Sequence, residues 1–219
     1  MKHTAQHALT LAGESVLLLA GRALYWPAQQ MLVVADIHFG KAVSFRALGV
    51  PVPRGTTTQN LQALDALLAQ VACRQIVFLG DFLHARAAHA PATVAAMLAW
   101  RRRHPQLLLT LVRGNHDLHA GDPSSLLAVT LVDEPYRLGP FAFCHHPDTA
   151  SEAYVLAGHV HPVYHLRSGH DGLRLPCFLQ GPSRLILPAF GAFTGGYAVR
   201  PALDEAVYVV ADGAIFPLP

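Results

Sequence analysis

The sequence predicts a mixed α/β fold built from two packed sheets. Short apolar runs end abruptly in polar clusters, helical periodicity fills the gaps between the early runs, and Pro/Gly links replace that periodicity after residue 120. With 219 residues, 52% of them hydrophobic, the chain suffices for one sizeable core and is short for two complete enzymatic domains. Residues 1–219 are therefore expected to form one domain.

The first buried strand is Leu32-Val33-Val34-Ala35, a continuous apolar run of the kind found where both sheet faces are covered. A helix follows: Thr56 and Gln59 have capping-box spacing, and Leu61, Leu64, Leu67, Leu68 and Val71 repeat with helical period. Gln75 to Leu79 is the second strand. Pro91 then opens an alanine-rich helix with Val94, Met97 and Leu98 on one face, closed before Pro105. Leu107 to Val112 is the third strand, and strand alternating with helix implies a partly parallel sheet. Beyond a short helical stretch near Ser124 to Val129, the runs Phe141-Ala142-Phe143-Cys144 and Tyr154-Val155-Leu156-Ala157 belong to a second sheet, expected to be mostly antiparallel. Pro51 to Gly55 reads as a loop within the domain.

Composition excludes several classes. No apolar stretch nears the roughly 20 residues of a membrane helix, and Met1-Lys2-His3-Thr4-Ala5-Gln6 lacks the apolar core of a secretory signal, so a soluble cytoplasmic protein without membrane partners is expected. Cys73, Cys144 and Cys177 cannot all pair and form no Cys-x-x-Cys, which suits reduced structural thiols. A net charge of +2 does not by itself argue for nucleic acid.

Five polar clusters carry the chemistry: Asp36-Ile37-His38, Gly80-Asp81, Gly114-Asn115-His116-Asp117, His145-His146 and Gly158-His159-Val160-His161. Each lies at the carboxyl end of an apolar run, where ligands collect over open α/β sheets. Asp36 and His38, two residues apart, would point to one side of extended chain and share a cation. Asp81 can bridge two ions through its two oxygens, with Gly80 allowing close approach. Asn115 offers a neutral amide oxygen, His159 and His161 repeat the two-residue spacing, and His145 supplies a further nitrogen. Imidazole, carboxylate and amide without thiolate suit manganese, iron or zinc. Two such ions about 3.5–4 Å apart would activate water and clamp the oxygens of a phosphate ester during in-line hydrolysis.

These ordered blocks resemble those of the calcineurin-like metallophosphoesterase superfamily: Asp-x-His, Gly-Asp, Gly-Asn-His, a histidine after a strand, and Gly-His-x-His. The resemblance implies a four-layer αββα sandwich and a dinuclear centre. Carried onto this chain, it implies that Asp36, His38, Asp81 and His161 hold one metal and that Asp81, Asn115, His145 and His159 hold the other. His116 would contact the phosphate and protonate the leaving oxygen, oriented by Asp117, whose charge would favour the imidazolium. The fourth block reads His145-His146 where many relatives have His-Gly; the ligand is placed at His145, with His146 the alternative.

The text between the blocks is similar to the bacterial ligase-associated phosphoesterase family, called PdeM-type. It includes Ala23-Leu24-Tyr25-Trp26-Pro27, Gly40-Lys41-Ala42, Phe82-Leu83-His84-Ala85-Arg86, Cys144-His145-His146-Pro147 and Leu187-Pro188-Ala189-Phe190-Gly191. That resemblance implies a manganese-preferring phosphodiesterase or endonuclease acting on DNA during the damage response, with DNA ligase or helicase partners. A phosphoesterase for cyclic nucleotides or phosphomonoesters is the rival reading, and a metal-anchored binding module the third.

Other residues remain open. Lys41 and Arg46 are within reach of a substrate phosphate or belong to a solvated helix face. His84 and Arg86 contact substrate or support their loop. Arg101-Arg102-Arg103 is placed at a solvated helix end, with DNA contact as its other use. Gly191 to Gly196 reads as a turn between late strands or a wall of the cleft, and Cys144 as core.

Overall fold

Buried strands crossed by helices account for the first sheet. The structure, a computed structural model, describes residues 4–52, 55–168 and 171–218; Met1 to His3 of the opening segment, and Pro53 and Arg54 of the expected loop, lie outside the described residues. The sheet runs in chain order: β1 (Gln6–Leu11), β2 (Glu14–Leu19), β3 (Ala23–Trp26), β4 (Met31–Ala35), β5 (Gln75–Leu79), β6 (Leu108–Val112) and β7 (Val129–Val132). The first four pair antiparallel and the last four parallel, with Val33 opposite Val77 and Val77 opposite Thr110. Four helices accompany it: α1 (Lys41–Ala47), α2 (Thr56–Leu68), α3 (Pro91–Arg103) and α4 (Asn115–Ala120).

Alternation along β4 explains its unbroken apolar run. Leu32 and Val34 pack with Leu61, Leu64, Met97 and Trp100 of α2 and α3, whereas Met31, Val33 and Ala35 face the second sheet. The expected capping box on α2 does not form. Gly55 is the N-cap, in left-handed backbone at φ 90°, and Thr56 already lies inside the first turn without a side-chain capping bond.

The second sheet comprises β8 (Tyr136–Leu138), β9 (Phe141–Cys144), β10 (Tyr154–Ala157), β11 (Pro162–Ser168), β12 (Asp171–Gln180), β13 (Arg184–Ile186), β14 (Tyr197–Ala198), β15 (Ala206–Ala211) and β16 (Ala214–Pro217). It is more mixed than the Pro/Gly links suggest, because β10 pairs parallel with both β9 and β13, and β11 parallel with β14. Between the sheets lie Leu18, Trp26, Val33 and Leu79 from one side and Phe141, Phe143, Phe178 and Leu185 from the other. The result is two packed mixed sheets flanked by helices. Among the described residues those helices all fall between Lys41 and Ala120. The outer face of the second sheet instead packs Cys177, Ile186 and Val209 with Val160, Tyr164 and Phe216, because beyond the short helical turn at Ser125–Leu127 little helical period follows residue 120.

The cysteines are free, with Cys144 and Cys177 buried, as expected of structural thiols. Burial pushes the Cys177 thiol up to about 12. No helix among the described residues is long and apolar enough to cross a membrane.

Phe141 is fully buried between the sheets and meets Trp26 edge-on at 4.8 Å. Phe141→Ala is expected to lower the unfolding free energy by about 3–5 kcal/mol. Urea unfolding checks this, and a loss under about 1 kcal/mol would show that the two sheets do not share this core.

Candidate metal centre

The carboxyl ends of β4, β5, β6, β9 and β10 meet along one rim, and every polar cluster noted in the sequence opens there. Asp36 follows β4, Asp81 follows β5 after Gly80, Asn115 begins α4 beyond β6, His145 follows β9, and His159 follows β10 after Gly158. His145 joins the two sheets: its Nδ1–H donates to the Leu79 carbonyl of β5 at 3.0 Å.

Three groups of donor atoms result among the described residues: one, His38, His84 and His116, lies toward the open side, and the other two flank Asp81. One ligand atom each from Asp36, His38, Asp81 and His161 lie within 4.8 Å of one another, as do those of His145, His146 and His159. Asp81 stands between them, with Oδ2 3.5 Å from His38 Nε2 and Oδ1 3.5 Å from His145 Nε2. Asn115 Oδ1 is 2.8 Å and His159 Nδ1 3.0 Å from that same His145 nitrogen. Each residue nominated as a metal ligand is thus brought to the cluster.

Extended alternation is not what aims them. Asp36 (φ 53°), His38 (φ 49°), Asp81 (φ 50°), His159 (φ 69°) and His161 (φ 51°) all adopt left-handed backbone, which L side chains rarely occupy. The strands end before these residues, so the two-residue spacing works through alternate left-handed turns. Such strain, of order 1–3 kcal/mol per residue, persists where surrounding structure enforces it and gathers at functional sites. Glycine makes the crowding feasible: a Cβ at Gly80 would stand 2.2 Å from His145 Nδ1, and one at Gly158 would stand 2.7 Å from Asp36 Oδ2.

The donor set fits cations. Leu79 O can only accept, so a His145 proton sits on Nδ1, and Nε2 faces the oxygens of Asn115 and Asp81. The Nε2 atoms of His38 and His161 are buried without hydrogen-bond partners. Burial, then the charge of Lys41 and the neighbouring imidazoles, hold His38 far below the ordinary imidazole range. A buried cluster of facing lone pairs repels itself unless positive charge lies among them.

His116 stands at the open side, its side chain 37% exposed and its Nε2 4.0 Å from Asp81 Oδ2. The orienting partner is not Asp117. At the third position of α4, Asp117 turns back to accept from Gly114 N–H and Leu83 N–H, both at 3.0 Å, and burial raises its pKa. His116 Nδ1–H instead donates to the His84 carbonyl at 2.7 Å. The His84 ring stacks on His116 and reaches His38 Nδ1 at 3.4 Å. Burial, Lys41 and His116 lower its pKa to about 4. Both the backbone and the ring of His84 meet His116, while Lys41 and Phe193 line a crevice beside His38.

A profile of calcineurin-like phosphoesterases matches residues 30–168, which span these clusters. The chain belongs to this family. It is also similar to the Pseudomonas putida nuclease MPE, whose crystal structure shares 47% identity over 97% of this chain and 100% of that one, with a TM-score of 0.87. Weaker likenesses are a protein of unknown function, AQ665, from Aquifex aeolicus (20% identity, 60% and 78% coverage, TM-score 0.38) and a Vps29 double mutant from Entamoeba histolytica (12%, 86% and 96%, TM-score 0.31). No curated protein matches the chain.

Glu134 is a residue that reasoning from the sequence missed. It accepts His145 N–H at 2.7 Å, His146 N–H at 2.9 Å and the His146 ring at 2.6 Å, and so sets the fourth block in place. Nothing local signals it, since it lies in a link eleven residues ahead of His145. Arg101 and Arg103 are engaged elsewhere: Arg101 caps the α3 end by donating to the His104 and Leu107 carbonyls, and Arg103 pairs with Asp65 at 2.8 Å. They lie toward the amino ends of β5 and β6, opposite the metal rim, and Arg103 lines a cavity of about 580 Å³ there.

Burial alone would raise the Glu134 pKa, but the His146 ring and the two N–H groups outweigh it and hold the carboxyl below its ordinary range. A depressed folded pKa gives stability that is present above the unfolded value, about 4.3, and is lost as pH falls through the folded value. Glu134→Gln is therefore expected to cost about 1–3 kcal/mol at neutral pH, with the gap closing in acid. Urea unfolding across pH checks this; a gap independent of pH would contradict it.

Proposed function

We propose that this chain hydrolyses phosphodiesters in DNA with two divalent ions, manganese preferred and iron or zinc also suited to its thiol-free donor set. The observation that carries the reading is Asp81, whose two oxygens face two separate groups of nitrogen donors. The 47% identity to a nuclease over nearly the whole chain supports nucleic acid as the substrate. A single domain, expected from the chain's length, and a cytoplasmic setting, expected from its composition, are part of the same proposal, as is a repair pathway with ligase or helicase partners, which rests on the resemblance of the text between the motifs.

In this reading Asp36, His38, Asp81 and His161 hold one ion, and Asp81, Asn115, His145 and His159 the other. Bound there, the ions supply Lewis acidity toward phosphoryl oxygens and acidity to a water nucleophile. Asp36 accepts the His159 backbone N–H at 3.0 Å, which ties the first donor group to the second. His116 carries a fixed proton on Nδ1, so Nε2 is the atom that gives a proton to the leaving oxygen. The His84 carbonyl holds that ring toward the cleft. His146, whose donor atom belongs to the same group as those of His145 and His159, is the alternative to His145, with its Nδ1 bound to Glu134.

The rival is a small-molecule phosphoesterase acting on cyclic nucleotides or phosphomonoesters, which suits a chain of net charge only +2. Rates on DNA strands, bis-nitrophenyl phosphate, cyclic nucleotides and monoesters, with manganese, zinc, iron and magnesium in turn, separate the two. Cleavage of DNA with manganese is expected; turnover of small esters without any DNA cleavage would select the rival.

Two substitutions test the roles. His116→Ala is expected to lower kcat by roughly 10²–10⁴ while bound metal is unchanged; unaltered kcat would remove His116 as the proton donor. His145→Ala is expected to lose bound metal and His146→Ala to retain it, by elemental analysis, and the reverse pattern would exchange the two assignments.

A further inference from the structure

The cleft wall beside His38 is aromatic. Phe45 lies one helical turn after Lys41 on the same face of α1, and Phe193 lies on the turn from Gly191 to Gly196. Their rings meet edge to face, with centroids 5.7 Å apart at 87°. Phe45 leans on the His84 ring at 5.9 Å, and His84 stacks on His116 at 4.8 Å and 22°. An unbroken series of rings therefore runs from the rim of the cleft to the imidazole that gives up the proton.

Packing does not require Phe193 where it is. Phe39, Phe78, Phe82 and Phe190 nearby are buried, whereas Phe193 remains 36% exposed. The turn it sits on is already fastened. Phe190 is buried and its N–H donates to Ala35 O; Gly191 N–H donates to Asp36 O; and the buried Asn60 side chain bridges Ile37 O and Ala192 N–H. Leaving an aromatic ring partly in water beside a phosphoester site forgoes burial, which points to a ligand with an aromatic face of its own.

We infer that Phe193, backed by Phe45, is the stacking face for a nucleobase that flanks the scissile phosphodiester. The inference rests on the nucleic-acid reading and adds a subsite to it. Lys41, which lines the same narrow crevice as Phe193, adds a cation beside this wall. Every base has a π-face, so this subsite tolerates sequence while discriminating a base from its absence. It also supplies the aromatic and basic pairing that the sequence did not reveal, because Phe45 and Phe193 are far apart along the chain.

The test compares cleavage of a single-stranded hexamer carrying bases with that of the same backbone made abasic, using the full-length, manganese-loaded protein. The unaltered protein is expected to prefer bases by roughly 5- to 100-fold in kcat/KM. Phe193→Leu, which keeps apolar bulk but removes the ring, is expected to bring that ratio close to one, and Phe45→Leu to lower it in part. Because the ratio is taken within each protein, loss of folded or metal-loaded molecules cancels. A 2-aminopurine in the strand gives a second readout: its fluorescence is expected to be quenched on binding the unaltered protein and not on binding Phe193→Leu. An unchanged ratio and quench in Phe193→Leu, with DNA still cleaved, would overturn the stacking subsite alone. Turnover of bis-nitrophenyl phosphate with no strand bound or cleaved would overturn the nucleic-acid reading and the subsite with it.

Discussion

Facing lone pairs around Asp81 are the constraint on which the rest of this protein depends. Its carboxylate is buried between the imidazoles of His38 and His145, with Asn115, His159, Asp36 and His161 close behind. A folded core relieves such crowding by pairing donors with acceptors. Here the ring donors of His145 and His116 are spent on Leu79 O and His84 O, and only backbone N–H groups, from His116 and His159, reach the carboxylates of Asp81 and Asp36. The left-handed backbone at Asp36, His38, Asp81, His159 and His161 adds strain to this repulsion. Both are features of a site whose stability is completed by what it binds.

The scaffold answers that demand by stiffness. Parallel β4, β5 and β6 and parallel β9 and β10 bring their carboxyl ends to one rim, and the apolar layer between the sheets fixes the spacing of the two halves. The His145 hydrogen bond to Leu79 crosses that layer, and Glu134 holds the loop that carries His145. Along the open side stand His116, His159 and the aromatic wall. A buried, electron-rich floor under an exposed imidazole is an arrangement suited to holding ions below and a phosphoester above.

Much of this was legible in the sequence because the informative residues are local. Apolar runs closed by Gly-Asp or Gly-Asn-His mark strand ends and the residues beyond them, and the helical repeat from Leu61 to Val71 marks the crossover. What escaped depends on the third dimension. The resemblance favoured Asp117 as the partner of His116, yet its place in the first turn of α4 turned it back to Gly114 and Leu83. The strands β1 to β3 carried no clear signal, since β1 is an edge strand with little burial and short alternation. Glu134, Asn60 and Phe193 reach the site only through tertiary contact, and no local pattern announces them.

The most direct measurement is a crystal structure of the manganese-loaded protein with anomalous differences collected at the manganese edge. Two peaks are expected, one on each side of the Asp81 carboxylate, the first among Asp36, His38 and His161 and the second among Asn115, His145 and His159. A single peak, or peaks that leave Asp81 without contact to either ion, would contradict the two-ion centre proposed here.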